Sequence, residues 1–196
     1  MPETPPKHRA VFLDRDGTIA EEMGYANHPS RFTIFPFAAA AIRRLNEAGL
    51  PVVVVTNQSG VARGFFPESL IDQIHQKMKE ELAAGGAHID AVYYCPHIRD
   101  DHCNCRKPLP GMLEQAAREH ALDLARSVLV SDRYDDILMA QTAGCRGILV
   151  LSGYGRGEYE WHRRQWPRQP DHVAEDLTAA VNFILGGGDG SEAKKR

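Results

Sequence analysis

Short runs of β-branched and apolar residues alternate along the chain with longer stretches whose apolar positions recur at helical spacing. Residues 10–13 (AVFL), 52–56 (VVVVT), 92–95 (VYYC), 128–131 (VLVS) and 148–151 (ILVL) have the length and content of buried strands. Helical patterns occupy 37–48, 67–84, 111–120, 135–143 and 177–185. Pro67 in the first turn and Gly85-Gly86 beyond the last bracket the second of these, as start and stop signals do. Continuous apolar strands alternating with helices predict a Rossmann-like α/β fold, a parallel sheet with helices on both faces. There is no internal repeat. One domain is expected over 9–185, preceded by a short extension at 1–8 and followed by a flexible tail, GGGDGSEAKKR, at 186–196.

Composition narrows the classes of function. Charged residues make up 25% of the chain and the net charge is −3, so no basic field invites nucleic acid or an acidic membrane. The first residues, MPETPPKHR, lack the apolar stretch of a signal peptide, and the apolar run PVVVV is too short to span a bilayer. The expectation is a soluble cytoplasmic protein with reduced thiols, acting as a monomer on small molecules. The Gly-, Arg- and aromatic-rich segment 153–166 is expected to be a loop covering the sheet edge near the active site.

Chemistry gathers at the strand ends. Asp14 and Asp16 follow the first strand, and a spacing of two in extended chain directs both carboxylates to one side. Adjacent carboxylates repel unless a cation or a shared proton relieves them, and Mg2+ is the natural hard partner for oxygen ligands. The second strand ends in TNQSG, and the third leads into a cysteine cluster and Lys107. The fourth is followed by Asp132, with Asp136 one helical turn later. Ligands of open parallel sheets bind outside the carboxyl ends of the strands, so a hydroxyl, an amine and two carboxylate pairs would converge on a phosphate site.

The cluster CPHIRDDHCNC offers Cys95, His97, Cys103 and Cys105, enough soft and borderline donors to fill a tetrahedral Zn2+ shell. A filled shell is structural, because catalytic zinc keeps a position open for water. The alternatives are a disulfide such as Cys95 to Cys103, or ordinary loop cysteines. His102 is left no vacancy. Cys145 reads as a small buried apolar residue, and at least one of Tyr93 and Tyr94 as core. His75, His88, His120, His162 and His172 have no ligand spacing and read as surface or packing positions.

The order DRDGT, VVTNQSG, RKP and SDRYDDILMAQTAG resembles the four motifs of the haloacid dehalogenase superfamily over roughly residues 9–151. Within it TNQSGVARGFF, YYCPH, CNCRKPLPGM and Gly24-Tyr25 resemble the heptose bisphosphate phosphatases, a family with a zinc-binding loop of the same Cys-x-His and Cys-x-Cys pattern. The resemblance implies a phosphatase in which Asp14 is the nucleophile, Asp16 the general acid and base, and Thr56 and Lys107 the phosphoryl-binding groups. It implies Mg2+ held by Asp14, the Asp16 carbonyl and Asp132, and a structural Zn2+ on Cys95, His97, Cys103 and Cys105. Asp136 would orient that shell or Lys107. By the same resemblance the phosphorylated sugar contacts Glu22, Met23, Gly24 and Tyr25, then Thr56, Asn57, Gln58 and Ser59, and finally Arg106 and Lys107. The implied reaction is removal of the 7-phosphate of heptose 1,7-bisphosphate, in the supply of activated heptose for lipopolysaccharide or another cell-surface glycan.

Three features depart from that family. Ser131 stands where Gly is usual, Arg133 where Lys is common, and only residues 98–102 separate His97 from Cys103, a loop length closer to the histidinol-phosphate phosphatases. Histidinol phosphate therefore remains an alternative substrate. Retention of Asp14, Asp16 and Lys107 argues against a non-catalytic zinc module. The short segments after Asp14 and Thr56 leave no room for a large cap domain, which favours hydrolysis over phosphotransfer.

Overall fold

The computed structural model describes residues 8–187. Within them six parallel strands form one sheet: β1 (Val11–Leu13), β2 (Val52–Asn57), β3 (Ala91–Cys95), β4 (Val128–Ser131), β5 (Arg146–Val150) and β6 (His172–Ala174). Their spatial order is β3-β2-β1-β4-β5-β6. Chain direction across the sheet thus reverses at β1, which pairs with β2 on one side and β4 on the other, Leu13 lying opposite Val54 and Val130. That reversal opens a crevice beyond the carboxyl ends of β1 and β4, the place where doubly wound sheets bind ligands.

Alternation along each strand divides the core into two layers. Val11, Leu13, Val52, Val54, Val128 and Val130 pack beneath α1 (Ala38–Glu47), α2 (Ser69–Ala84) and α6 (Leu177–Leu185). Phe12, Val53, Val55 and Leu129 face the other way, toward α3 (Gly111–Glu119) and α4 (Tyr134–Thr142). Period-two burial on both faces is why these strands read as uninterrupted apolar runs. α2 buries Leu70, Ile71, Ile74, Met78 and Leu82 at helical spacing, and His75 lies on that same inward face.

Two elements differ from expectation. The segment read as a covering loop contains a helix, α5 (Gly155–His162), and continues to the sixth strand, β6, at the sheet edge. Gly155 starts α5 where a Cβ would stand 1.8 Å from the Val150 carbonyl oxygen, and Trp166 stacks on Tyr134 with ring centroids 4.1 Å apart. Tyr159 and Trp166 therefore serve packing, while Tyr154 and Trp161 are exposed, and the helix forms because tertiary contacts hold a sequence of weak local preference. Tyr93 and Tyr94 lie on the edge strand β3, half-buried and packed against the two core layers, and their hydroxyls donate to Glu119 (2.6 Å) and Glu68 (2.9 Å). Cys145 is buried, as expected of a small apolar residue.

The expected terminal extension and tail lie outside the described residues except for His8, Gly186 and Gly187. His8 donates its N–H to the Ala121 carbonyl at 3.0 Å. No helix among the described residues is long and apolar enough to cross a membrane.

Leu45 on α1 is fully buried in the layer that supports β1 and β2. Leu45→Ala is expected to cost about 2–5 kcal/mol in urea unfolding; a loss under about 1 kcal/mol would show that this layer repacks freely.

Candidate active site

β1 ends directly at Asp14, whose N–H continues the ladder to the Val130 carbonyl at 3.0 Å. Asp14 Oδ1 accepts from the Arg15 N–H (2.7 Å) and from Lys107 Nζ (2.8 Å). Lys107 Nζ also donates to Asp136 Oδ2 at 2.6 Å, and Asp136 Oδ2 accepts in addition from Ser131 Oγ at 2.7 Å. Residues from β1, the loop after β3, β4 and the start of α4 thereby meet in one buried network. Ser131 is not a defect of the motif here: it donates to Asp136 and accepts from the Arg133 N–H at 3.1 Å, joining the end of β4 to the first turn of α4.

Burial alone would strip the Lys107 proton, but Asp136 and Asp14 beside it push its pKa above the ordinary lysine value. Asn57, at the end of β2, fixes the backbone of the same residue: its Oδ1 accepts from the Lys107 N–H (3.2 Å) and its Nδ2 donates to the Lys107 carbonyl (3.4 Å). Asn57 is thus a clamp on the lysine as well as a wall of the cleft.

Asp132 is fully buried behind this network. Its Oδ2 accepts from the Tyr154 N–H at 2.8 Å, while its Oδ1 is buried with no hydrogen-bond partner. Gly17 and Gly153, both at positive φ, close over it; a Cβ on either would come within 2.0 and 2.2 Å of Oδ2. Burial, then the charge of Asp14, pushes the Asp132 carboxyl up to about 8, and burial pushes Asp14 up to about 7 against the pull of Lys107. Asp14, Asp132 and Asp136 against one ammonium leave a net charge of −2 when all are ionised, with Lys107 shared by Asp14 and Asp136. An orphaned carboxylate oxygen in such a place fits a divalent cation, which would relieve both the desolvation and the repulsion.

Asp16 is held separately. Arg15, only 2% exposed, turns away from the cleft and donates to Asp16 Oδ2 at 2.8 Å and to Oδ1 at 3.1 and 3.2 Å. Gln58 Nε2 donates to both Asp16 Oδ2 and Thr56 Oγ1, each at 2.9 Å. Behind the guanidinium, His75 Nε2 lies 3.3 Å from Arg15 Nη1. Since a guanidinium can only donate, Nε2 accepts and the imidazole is neutral.

A cleft of about 240 Å³ opens over these groups. Asp14, Asp16, Glu22, Gly24, Thr56, Asn57, Arg106 and Lys107 line it, joined by Arg99, Arg133, Asp135 and Asp136. Of the other four residues expected at the substrate, Met23 is exposed, Tyr25 sets its ring edge-on against Phe65 at 4.9 Å, Gln58 is buried against Asp16 and Thr56, and Ser59 is buried. Arg106 donates to the His97 carbonyl at 2.8 Å, which ties it to the cysteine loop. Arg133 pairs with Glu158 at 3.0 Å and lies over the Tyr154 ring at 4.6 Å, so the start of α5 steers it.

Cys95, His97, Cys103 and Cys105 bring four donor atoms within 4.8 Å of one another. Cys95 Sγ lies 3.6 Å from Cys103 Sγ and 3.5 Å from His97 Nδ1, and Nδ1 lies 3.3 Å from Cys105 Sγ. Sulfurs this far apart form no disulfide, whose bond is about 2.05 Å. The spacings approach the edges of a tetrahedron built on metal–ligand bonds of about 2.0–2.3 Å, so the four can hold a metal ion. His102 is exposed, in the left-handed region, and is not one of the four.

Residues 104–180 match the HAD-hydrolase-like family model. Over 190 residues the chain is 43% identical to D-glycero-D-manno-heptose-1,7-bisphosphate 7-phosphatase of Thermosynechococcus vestitus, covering 89% of this chain and 94% of that one. The chain belongs to this family of haloacid dehalogenase-like phosphatases. A second family member, D-glycero-beta-D-manno-heptose-1,7-bisphosphate 7-phosphatase of Bordetella bronchiseptica, is 42% identical, with 90% and 98% of the two chains covered. The crystal structure of the heptose bisphosphate phosphatase from B. bronchiseptica, complexed with magnesium and phosphate, superposes with a TM-score of 0.84 at 39% identity, covering 91% of this chain and 98% of that one. Proteins of this family are phosphoric monoester hydrolases by name.

Arg15, His75 and Glu158 hold side chains at the cleft without a role assigned by the motifs, and Ser131 enters the motifs only as a departure. Two of them carried a sequence signal: alternation places Arg15 on the side opposite Asp14 and Asp16, and His75 falls on the apolar stripe of α2.

Burial, then the charges of Arg15 and Lys79, hold the His75 pKa down to about 3, against the opposing pull of Asp16. An unfolded chain takes up this proton below about 6.5. The stability contributed by the neutral ring is therefore complete above that pH and is lost as pH falls toward 3. Thermal unfolding followed from pH 7 to 4 is expected to show a shallower decline of Tm for His75→Gln than for the parent; parallel curves would refute it.

Proposed function

We propose that the protein hydrolyses the 7-phosphate of D-glycero-D-manno-heptose 1,7-bisphosphate through a phosphorylated Asp14. The observation that carries the reading is Lys107 Nζ bridging Asp14 Oδ1 and Asp136 Oδ2 on the floor of the cleft. Oδ1 of Asp14 is committed to Lys107 and to the Arg15 N–H, leaving Oδ2 to attack phosphorus. As the bond from phosphorus to the sugar oxygen breaks, Asp16 delivers a proton to that oxygen. It then takes one from the water that attacks the aspartyl-phosphate, releasing phosphate and restoring Asp14. Lys107 and Thr56 hold the phosphoryl oxygens as negative charge moves through the transition state.

Asp14, the Asp16 carbonyl and Asp132 would hold Mg2+, which supplies charge neutralisation between an anionic nucleophile and an anionic substrate. The partnerless Asp132 Oδ1 supports this assignment. Cys95, His97, Cys103 and Cys105 would hold a structural Zn2+, fixing the loop that carries Arg106 and Lys107 into the cleft. Arg99, Arg106 and Arg133 on the walls favour a substrate with a second anionic group over histidinol phosphate, whose far end is a cationic amine.

Phosphate release across both anomers of heptose 1,7-bisphosphate, heptose 7-phosphate, fructose 1,6-bisphosphate and histidinol phosphate tests the substrate. The highest kcat/KM is expected for a heptose bisphosphate, and a preference for histidinol phosphate would reverse the reading. Asp14→Asn is expected to lower kcat by at least about 10³-fold with folding and zinc content retained; activity within tenfold of the parent would remove the aspartyl-phosphate. Cys103→Ser is expected to lose bound zinc and lower Tm, and an unchanged metal content would remove the loop assignment.

A further inference from the structure

The Arg15 guanidinium is a buried charge, 2% exposed, and the phosphoryl-binding groups do not touch it. Burying such a group is costly unless every side of it is compensated. Each side is occupied. Asp16 takes the fork of Nε and Nη2, His75 accepts from Nη1 at 3.3 Å, and the Phe32 ring lies 5.5 Å from the guanidinium carbon. His75 is in turn fixed by the apolar stripe of α2 and by the edge-on Tyr94 ring at 5.7 Å. On its other flank, Asp16 Oδ2 is tied through Gln58 to Thr56. The Asp16 side chain is 21% exposed, so it stands at the cleft while its support is anchored in the core.

We propose that Arg15 and His75 are positioning residues for proton transfer, an α2-anchored brace that sets the direction in which the Asp16 carboxyl meets the leaving sugar oxygen. The inference rests on the reading of Asp16 as general acid. Neither brace residue touches substrate. A ring on helix α2, remote from the motif loops, controls the aim of the acid through one guanidinium. Loss of the brace lets the carboxyl turn, and a proton donor aimed wrongly costs rate only where the leaving group needs a proton.

That selectivity separates positioning from mere support. kcat/KM covers the steps up to formation of the aspartyl-phosphate, before water attacks. It is to be measured for heptose 1,7-bisphosphate, whose alkoxide must be protonated, and for p-nitrophenyl phosphate, whose phenolate departs unaided. His75→Leu is expected to lower the sugar value about tenfold and the nitrophenyl value less than twofold; His75→Gln, which keeps an acceptor toward Arg15, restores the sugar value to within about threefold. Arg15→Lys keeps the buried charge without the fork and is expected to show the same selective loss, which decides the matter if His75→Leu does not fold. Equal losses on both substrates, or none on either, would overturn the proposal. Asp16→Asn serves as the reference. If Asp16→Asn is selective and the brace variants are not, the inference alone fails; if Asp16→Asn loses equally on both substrates, the assignment of Asp16 fails first and the brace with it.

Discussion

A single ammonium group, Lys107 Nζ, is the point on which the site depends. It is buried between two carboxylates 2.8 and 2.6 Å away, in a place where an isolated charge would not survive. Its partners come from chain segments far apart in sequence, so the ion triad is satisfied only when the sheet is assembled. Ser131 and Asn57 complete it, one by holding Asp136 and the other by holding the lysine backbone. The triad is thus polar and internal yet fully specified, since each of its three members has its donor or acceptor.

Topology decides where that triad can exist. Reversal of chain direction at β1 leaves the ends of β1 and β4 side by side without a crossing loop, and Asp14 and Asp132 are the residues just past those two ends. The space left for Asp132 is small. Gly17 and Gly153 pass over it with no room for a side chain, and Ser152 Oγ donates to the Gly17 carbonyl at 2.6 Å, drawing the segment after β5 onto the loop after β1. Three loops are therefore locked around one carboxylate whose remaining oxygen has no hydrogen-bond partner among the described residues.

Much of this was legible in the chain itself, for a physical reason. A parallel sheet buried on both faces must show short apolar runs, and binding groups must follow those runs, so the first five strands and the groups after β1 to β4 could be read directly. The sixth strand could not: HVA is three residues long and takes its role from pairing with β5 alone. α5 was hidden because its aromatic and arginine content resembles a loop, whereas its stability comes from Trp166 on Tyr134 and from Arg133 with Glu158. Contacts of that kind depend on three-dimensional partners, which residue spacing does not encode. Gln58 shows the same limit: the motif places it at the cleft, but only the fold shows that its amide faces Asp16 and Thr56.

The two ends of the proposed reaction are supported from opposite sides of the sheet. Lys107 stands on the loop closed by Cys95, His97, Cys103 and Cys105, with Cys95 and Cys103 packed against the layer containing α3 and α4. Asp16 is braced through Arg15 from α2, in the other layer. Charge neutralisation and proton delivery therefore rest on helices in different layers, with the strands of the sheet between them. A disturbance of the cysteine loop acts first on the grip on phosphate, through Arg106 and Lys107. A disturbance of α2 acts first on the aim of Asp16 and reaches the phosphate grip through Gln58 and Thr56 and through the Arg15 N–H on Asp14. The Gln58 amide joins the two halves side chain to side chain, which accounts for a largely buried residue standing between the acid and the phosphoryl-binding hydroxyl.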